Sequence, residues 1–174
     1  DMTLFTSDDK ILKEIKYVFS FFDANYKKYN FKNLLISPIN TESRLKRLIN
    51  NEIKNAKNGY PAWIKIKINN ITSRSIIKSL YNASRAGVKI KMIVRGVCCL
   101  IPGIKGMSEN IEGISIIDRF LEHTRFMVFC NNNNSKGLMF LIIGRVRVSN
   151  PQMCDTYLRL HSTKMATLRR HSTK

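Results

Sequence analysis

With 174 residues, the chain suits one compact α/β domain with some flanking material and is too short for two full-size domains. Its 30 basic and 12 acidic side chains give a net charge of +18, a field that draws polyanions: nucleic acid, an anionic membrane surface or a polyphosphate chain. The longest apolar runs, at 113–117 and 138–143, fall far short of the ~20 residues a membrane helix needs, so a soluble, non-spanning protein is expected.

The chain begins at Asp1 and shows no signal-peptide pattern, so it reads as a piece of a longer protein. Cys98, Cys99, Cys130 and Cys154 form no CxxC pair, and two are adjacent, which suits free thiols in a reducing cytosol better than a disulfide framework or a zinc site. Asn70 and Asn82 sit in glycosylation-type sequons that carry little weight without a secretory signal. The charge is unevenly spread: residues 1–30 hold five of each sign, residues 31–130 hold 17 basic and 6 acidic, and residues 131–174 hold 8 basic and 1 acidic.

From 7 to 22 apolar residues recur at helical spacing, with Ile11, Ile15, Val18, Phe19 and Phe22 on one stripe and Ser7 or Asp8 as cap. The mixed polar stretch 23–33 reads as a linker. The apolar run LLISP at 34–38 stops at Pro38; Thr41 then caps a helix through Ala56 that turns Leu45, Leu48, Ile49 and Ile53 inward and ends at Asn58 and Gly59. WIKIKIN at 63–69 alternates with the period of a half-buried strand, and Thr72 or Ser73 opens a helix closed by Gly87. VKIKMIV at 88–94 alternates again, a Gly- and Pro-rich loop follows to Asn110, and GISII at 113–117 and RFMVF at 125–129 are further strands. The asparagines 131–134 make a turn and GLMFLIIGRVRV at 137–148 reads as one last strand; from Ser149 periodicity is lost, and HSTK occurs at 161–164 and again at 171–174.

The order βαβα favours parallel strands with helices packed over the sheet, and in such sheets ligands bind beyond the carboxyl ends of the strands. That places attention on Asn69, on Arg95 and on the loop after it. An arginine at a strand end offers a planar fork of donors to phosphate oxygens, and Gly96 behind it lets backbone amides approach a ligand. His123, the one histidine outside the irregular tail, can exchange a proton or a phosphoryl group near neutral pH. Plainer readings stand beside these: Arg95 bracing the strand end against Glu109, His123 paired with Glu122 or Asp118, and Lys65 and Lys67 forming a wet strand face.

The stretch from LLISPIN at 34–40 through NNEIKNAKNGYPAWIKIKINNI at 50–71 to residues 79–123 is similar, nearly continuously, to the C-terminal half of bacterial polyphosphate kinases. The pieces that carry the resemblance are VRGVCCLIPG at 94–103, SENI at 108–111 and DRFLEH at 118–123, while residues 1–22 resemble the end of the family's preceding domain. The resemblance implies an α/β, phospholipase D-like sheet with helices on its faces, preceded by a helix from the end of the previous domain. It divides the chain into 1–30, the end of the first C-terminal catalytic domain and a linker; 31–145, the second such domain; and 146–174, an irregular basic tail. It further implies reversible transfer of the terminal phosphate of ATP to inorganic polyphosphate through a phosphohistidine, with magnesium. The phosphorylated histidine and the magnesium ligands are expected upstream of Asp1. Arg95 matches the family's arginine for ATP phosphates, and His123 matches a second histidine that serves as general acid or as donor to a phosphate oxygen. ATP, ADP and polyphosphate are the implied partners of a homo-oligomeric cytoplasmic enzyme, with a peripheral place at the inner membrane as a variant of that location. The isolated chain is expected to be inactive while still binding nucleotide or polyphosphate.

After RFMVF the sequence departs from the family's pattern, which continues with a strand ending in a small-residue and tryptophan motif; a change of coding frame near Ser135 is the expectation. Two rival functions are weaker. A phospholipase D-type phosphodiesterase needs H-x-K-x4-D, but here Arg125 and Cys130 stand at the lysine and aspartate positions after His123. A basic nucleic-acid-binding module fits the charge but lacks a helix-turn-helix, zinc or aromatic-stacking signature.

Overall fold

A computed structural model of the chain describes residues 5–148 apart from 25, 28, 38, 117–122, 135 and 141–144, with backbone alone for 136–140 and 145–148. The expectations for Asp118, Glu122, Cys154 and the tail from Ser149 lie outside these residues.

Helix α1, Asp9–Asp23, starts where Asp8 accepts the amide hydrogens of Lys10 and Ile11 at 2.8 and 3.2 Å, the arrangement that satisfies free N–H groups at a helix start. Ile11, Ile15 and Val18 face a small core with Phe31, Leu34 and Ile36. Phe19 and Phe22, expected on that stripe, are instead 65% and 60% exposed, because the cluster reaches Val18 and no further along the helix. The central place goes to Glu14, which is 6% exposed. Its carboxylate accepts the backbone N–H of Lys32, Asn33 and Leu34 and the Asn33 side-chain amide, at 2.7–3.0 Å. Residues 23–33, a linker by composition, thus end in an anchored strip.

Helix α2, Thr41–Lys57, buries Leu45 and Ile49 and stops at Asn58 and Gly59, whose φ of 75° only glycine adopts without cost. Its cap position is Asn40 rather than Thr41. The Asn40 side chain leaves the helix uncapped and ties the preceding strip, accepting from Ile36 N–H and donating to the Phe31 and Leu34 carbonyls.

Strands β1, Trp63–Ile68, and β2, Lys89–Val94, are parallel neighbours joined by helix α3, Arg74–Arg85, a βαβ unit that Gly87 closes at φ 90°. Strand β3, Ile111–Ile114, pairs parallel with β2, two residues earlier than its expected start, because Ile90–Ile93 of β2 take 111–114 as partners. Strand β4, Arg125–Phe129, runs antiparallel to β1. The expected last strand is two: β5, Lys136–Phe140, pairs antiparallel with β4, and β6, Arg145–Val148, turns back on β5. The sheet order is β3-β2-β1-β4-β5-β6, parallel on one side of β1 and antiparallel on the other. Asn131, Asn132 and Asn133, with φ of 49°, 55° and 62°, turn the chain between β4 and β5; asparagine tolerates that left-handed region better than most residues.

The main core lies between one sheet face and helices α2 and α3: Ile64, Ile66, Ile90, Met92, Met127 and Phe129 meet Leu45, Ile49, Ile77 and Leu80. On the other face Phe126 and Val128 pack with Trp63. Among the described residues no helix is long and apolar enough to cross a membrane.

Candidate functional site

Because β4 is antiparallel to β1, its amino end lies at the same sheet edge as the carboxyl ends of β1 and β2. Arg95 leaves β2 at that edge and His123 enters β4 there, so the two flank the end of β1, their backbones two strand spacings or roughly 10 Å apart. Both are half-buried. Asn69, the next residue after β1, lies between them in the strand order and contributes its carbonyl, which accepts the Gly96 N–H at 2.7 Å.

The turn that carries Arg95 is held by a short ladder beyond the sheet proper. The Arg95 N–H donates to the Ile68 carbonyl at 3.2 Å, Ile71 N–H to Val97 at 2.8 Å, and Cys99 N–H to Ile71 at 2.9 Å. The Asn70 side-chain oxygen accepts Val97 N–H at 2.8 Å. Gly96 permits this approach: a Cβ there would sit 2.5 Å from the Asn70 side-chain oxygen and 3.1 Å from the Asn69 carbonyl. The glycine thus serves contact between two loops of the chain itself. The Arg95 guanidinium makes no hydrogen bond or ion pair among the described residues, and Glu109, offered as its brace, is exposed and unpaired with it.

SENI has a structural task. Ser108 is fully buried; its hydroxyl donates to the Ile101 carbonyl at 2.7 Å and accepts Ile104 N–H at 3.0 Å. Asn110 binds Ser84 through its backbone N–H at 3.2 Å and its side-chain amide at 2.9 Å. Residues 101–110 are so fastened to α3, whose Tyr81 hydroxyl also accepts Ile101 N–H at 2.9 Å.

Among the described residues the charges that act on His123 are positive. Arg125 approaches its Nε2 at 2.7 Å. A guanidinium only donates, so Nε2 accepts, and the neutral ring carries its hydrogen on Nδ1. Partial desolvation first, then the charges of Arg125, Arg95 and Lys67, hold His123 below the usual imidazole range. That the Arg95 and Lys67 charges are felt at His123 ties these groups into one field. Lys67, read from sequence as part of a wet face, is 3% exposed, and its Nζ donates to the Thr124 carbonyl at 2.8 Å. The antiparallel partner β4 covers the end of β1 and supplies that carbonyl. Lys65 instead lays its ammonium 4.8 Å over the Trp63 ring. Lys67 and Arg125 are the members that sequence reasoning missed; the signals were a lysine next to the end of an apolar strand and an arginine two residues past the histidine, at the start of the next strand. Cys98 and Cys99 are exposed, Cys130 is buried, and all three are free.

Fold and site define an α/β domain whose mixed sheet gathers three cations and an imidazole at one edge, a class suited to holding phosphate groups. Residues 34–141 match the family described as polyphosphate kinase C-terminal domain 2. The chain is 48% identical over 134 residues to the polyphosphate kinase of Vibrio parahaemolyticus and 40% identical over 136 residues to that of Escherichia coli, covering 77% and 78% of this chain. The crystal structure of polyphosphate kinase from Porphyromonas gingivalis superposes with a TM-score of 0.77 at 29% identity, covering 88% of this chain and 26% of that one. The chain therefore belongs to the polyphosphate kinase family. It spans only about a fifth, 19% and 20%, of those two curated relatives. The family match runs past Ser135 to residue 141.

Proposed function

We propose that this chain forms one wall of a phosphoryl-transfer site that moves the terminal phosphate of ATP to polyphosphate and back. The observation that carries the reading is the placement of Arg95 and His123 on either side of the end of β1, with Lys67 behind them. Phosphoryl transfer asks of the protein mainly positioned positive charge around a loosely bound phosphoryl group. Arg95, whose guanidinium is uncommitted among the described residues, grips the nucleotide phosphates by two parallel N–H···O bonds. In the transfer, the bond from the terminal phosphorus to the bridging oxygen breaks and its electron pair stays on ADP. A bond forms to a histidine nitrogen supplied by the part of the enzyme that precedes this segment. That P–N bond then yields to a terminal oxygen of polyphosphate.

Of the two roles open to His123, the geometry favours donation over acid catalysis. Partial desolvation first, then the charges of Arg125, Arg95 and Lys67, lower its midpoint, so the ring has little proton to give and is better suited to orienting a phosphate oxygen by a hydrogen bond than to protonating it. Among the described residues no three His, Cys, Asp or Glu side chains gather to hold a metal, and the ligands for magnesium are assigned to the part of the enzyme that precedes this segment.

Thermal unfolding of the chain with and without ATP tests the reading. Binding to the folded form adds about 2.7 kcal/mol of stability at a hundredfold excess over Kd, and Arg95→Gln abolishes that gain. No midpoint shift with ATP or tripolyphosphate at millimolar concentration refutes it. In a complete polyphosphate kinase carrying this segment, His123→Gln lowers kcat about 100-fold, equivalent to ~2.7 kcal/mol of barrier. The chain alone does not label itself with radioactive ATP; acid-labile, histidine-linked label on it would overturn the assignment of the nucleophile to the preceding segment.

A further inference from the structure

Helix α2 begins at the transfer edge and ends at the opposite one. Near its start Thr41 and Leu45 line a cavity of about 250 Å³ with Ile68, Asn70 and Met127, at the carboxyl end of β1. Near its end Asn51 donates to the Asn131 side chain at 3.2 Å, and Glu52 accepts Asn131 N–H at 2.8 Å, beyond the carboxyl end of β4. Along its flank runs an open groove of about 910 Å³, whose floor includes Leu35, Leu48 and Ile53.

Arg47, Lys54 and Lys57 follow that groove at i, i+7 and i+10, with Asn50 and Asn51 between them, a stripe about 15 Å long at 1.5 Å per residue. All three cations are exposed, and among the described residues none has an ion pair. The other basic groups of the groove are engaged: Arg44 donates to the Phe31 and Leu34 carbonyls, and Lys46 pairs with Glu42 at 2.7 Å. No carboxylate and no aromatic ring lines the groove among the described residues. Lys54 and Lys57, three residues apart, repel each other, a cost that their place in the last turn of α2 offsets through the negative end of the helix dipole.

We infer that the outer face of α2 is a track for a linear polyphosphate chain, leading it from the transfer edge across the domain. This rests on the transfer site proposed above and assigns the growing polymer a second, separate contact. Single-stranded nucleic acid is the lesser fit, because such sites stack bases on aromatic rings and this groove offers none. Cations spaced along a helix with neutral amides between them suit a polymer that is charge throughout.

The test measures binding of the whole chain to long-chain polyphosphate, tripolyphosphate and single-stranded DNA across a salt series. The variant R47Q/K54Q/K57Q changes only exposed side chains, and its unfolding midpoint checks that it folds. K54Q alone serves as a milder second variant. We expect the triple variant to lose tenfold or more in affinity for long-chain polyphosphate. Its log–log salt slope falls by about two, at ~0.7 per contact on a flexible single-stranded polyanion, and its tripolyphosphate affinity is unchanged. Arg95→Gln shows the converse, losing tripolyphosphate while retaining most long-chain binding. Long-chain affinity equal to the parent's in the triple variant overturns the track, and so does a larger loss for DNA than for polyphosphate at matched salt. A harmless Arg95→Gln beside a damaging triple variant would refute the transfer site and leave the track standing.

Discussion

Replacing Gly96 by alanine tests whether the Arg95 turn is held by fit between two loops. The new methyl carbon would meet the Asn70 side-chain oxygen at 2.5 Å and the Asn69 carbonyl at 3.1 Å. The first contact is too close to survive, so the Asn70 amide must swing away and release Val97 N–H, to which it is bonded at 2.8 Å. Losing one neutral hydrogen bond costs about 1 kcal/mol, and easing the backbone carbonyl away adds about 1 more, at the low end for overpacking because the loop is exposed. A total of about 2 kcal/mol follows. Urea unfolding measures it, and a double-mutant cycle with Asn70→Ala isolates the contact. With the side chain already gone, Gly96→Ala should cost only the carbonyl share, giving a coupling of about 1 kcal/mol. The turn bears Arg95 one residue away, so ATP protection against unfolding should weaken in Gly96→Ala and recover in part in the double variant. Additive stability losses, or an unaltered ATP effect in Gly96→Ala, would refute the argument that this glycine sets the arginine's position.

Two further outcomes follow from the described contacts. Arg125→Gln removes the guanidinium nearest His123 and should raise its midpoint toward the ordinary value near 6.5, observable as the ring C–H signal by NMR. The sign in stability is fixed. His123 is depressed in the fold, so the unfolded chain binds more protons; stability is full above about pH 6.5 and falls as pH drops through the folded midpoint. The variant should show a shallower acid loss over that window, and an unmoved titration would exclude Arg125 as a cause. At the other end of the chain, Glu14→Gln keeps shape but sets an NH2 against amide donors, at a cost of about 1–3 kcal/mol in urea unfolding. A loss under ~0.5 kcal/mol would show that the anchored strip does not depend on this carboxylate.

Periodicity and punctuation were enough to place most elements. The alternation of WIKIKI and KIKMIV, the stops at Gly59 and Gly87 and a cap at Ser7 or Asp8 are local signals, each rooted in a residue's own backbone preference or in which neighbours it faces; β1, β2, α3 and α1 lie where these signals put them, with Asp8 as the cap. The resemblance carried by VRGVCCLIPG, SENI and DRFLEH identified the family before any geometry. Local signals failed where the decisive partner is distant. Glu14 carries no signal of its own in the sequence; it is buried because residues 32–34 bring three N–H groups to it. The run GLMFLIIGRVRV reads as one strand until β4 and β5 set the pairings that break it in two.

The edge itself belongs to the tertiary structure. Composition gave a strongly positive chain, 30 basic against 12 acidic side chains, because net charge is a sum that needs no fold. Which of those charges act together is a question of strand direction. Only the antiparallel entry of β4 beside β1 puts His123 and Arg125 at the edge where Arg95 leaves β2, and only the covering by β4 turns Lys67 from a wet-face lysine into a buried cation held by the Thr124 carbonyl. Burial and proximity are properties of pairs far apart in the chain, and no window of sequence contains both members.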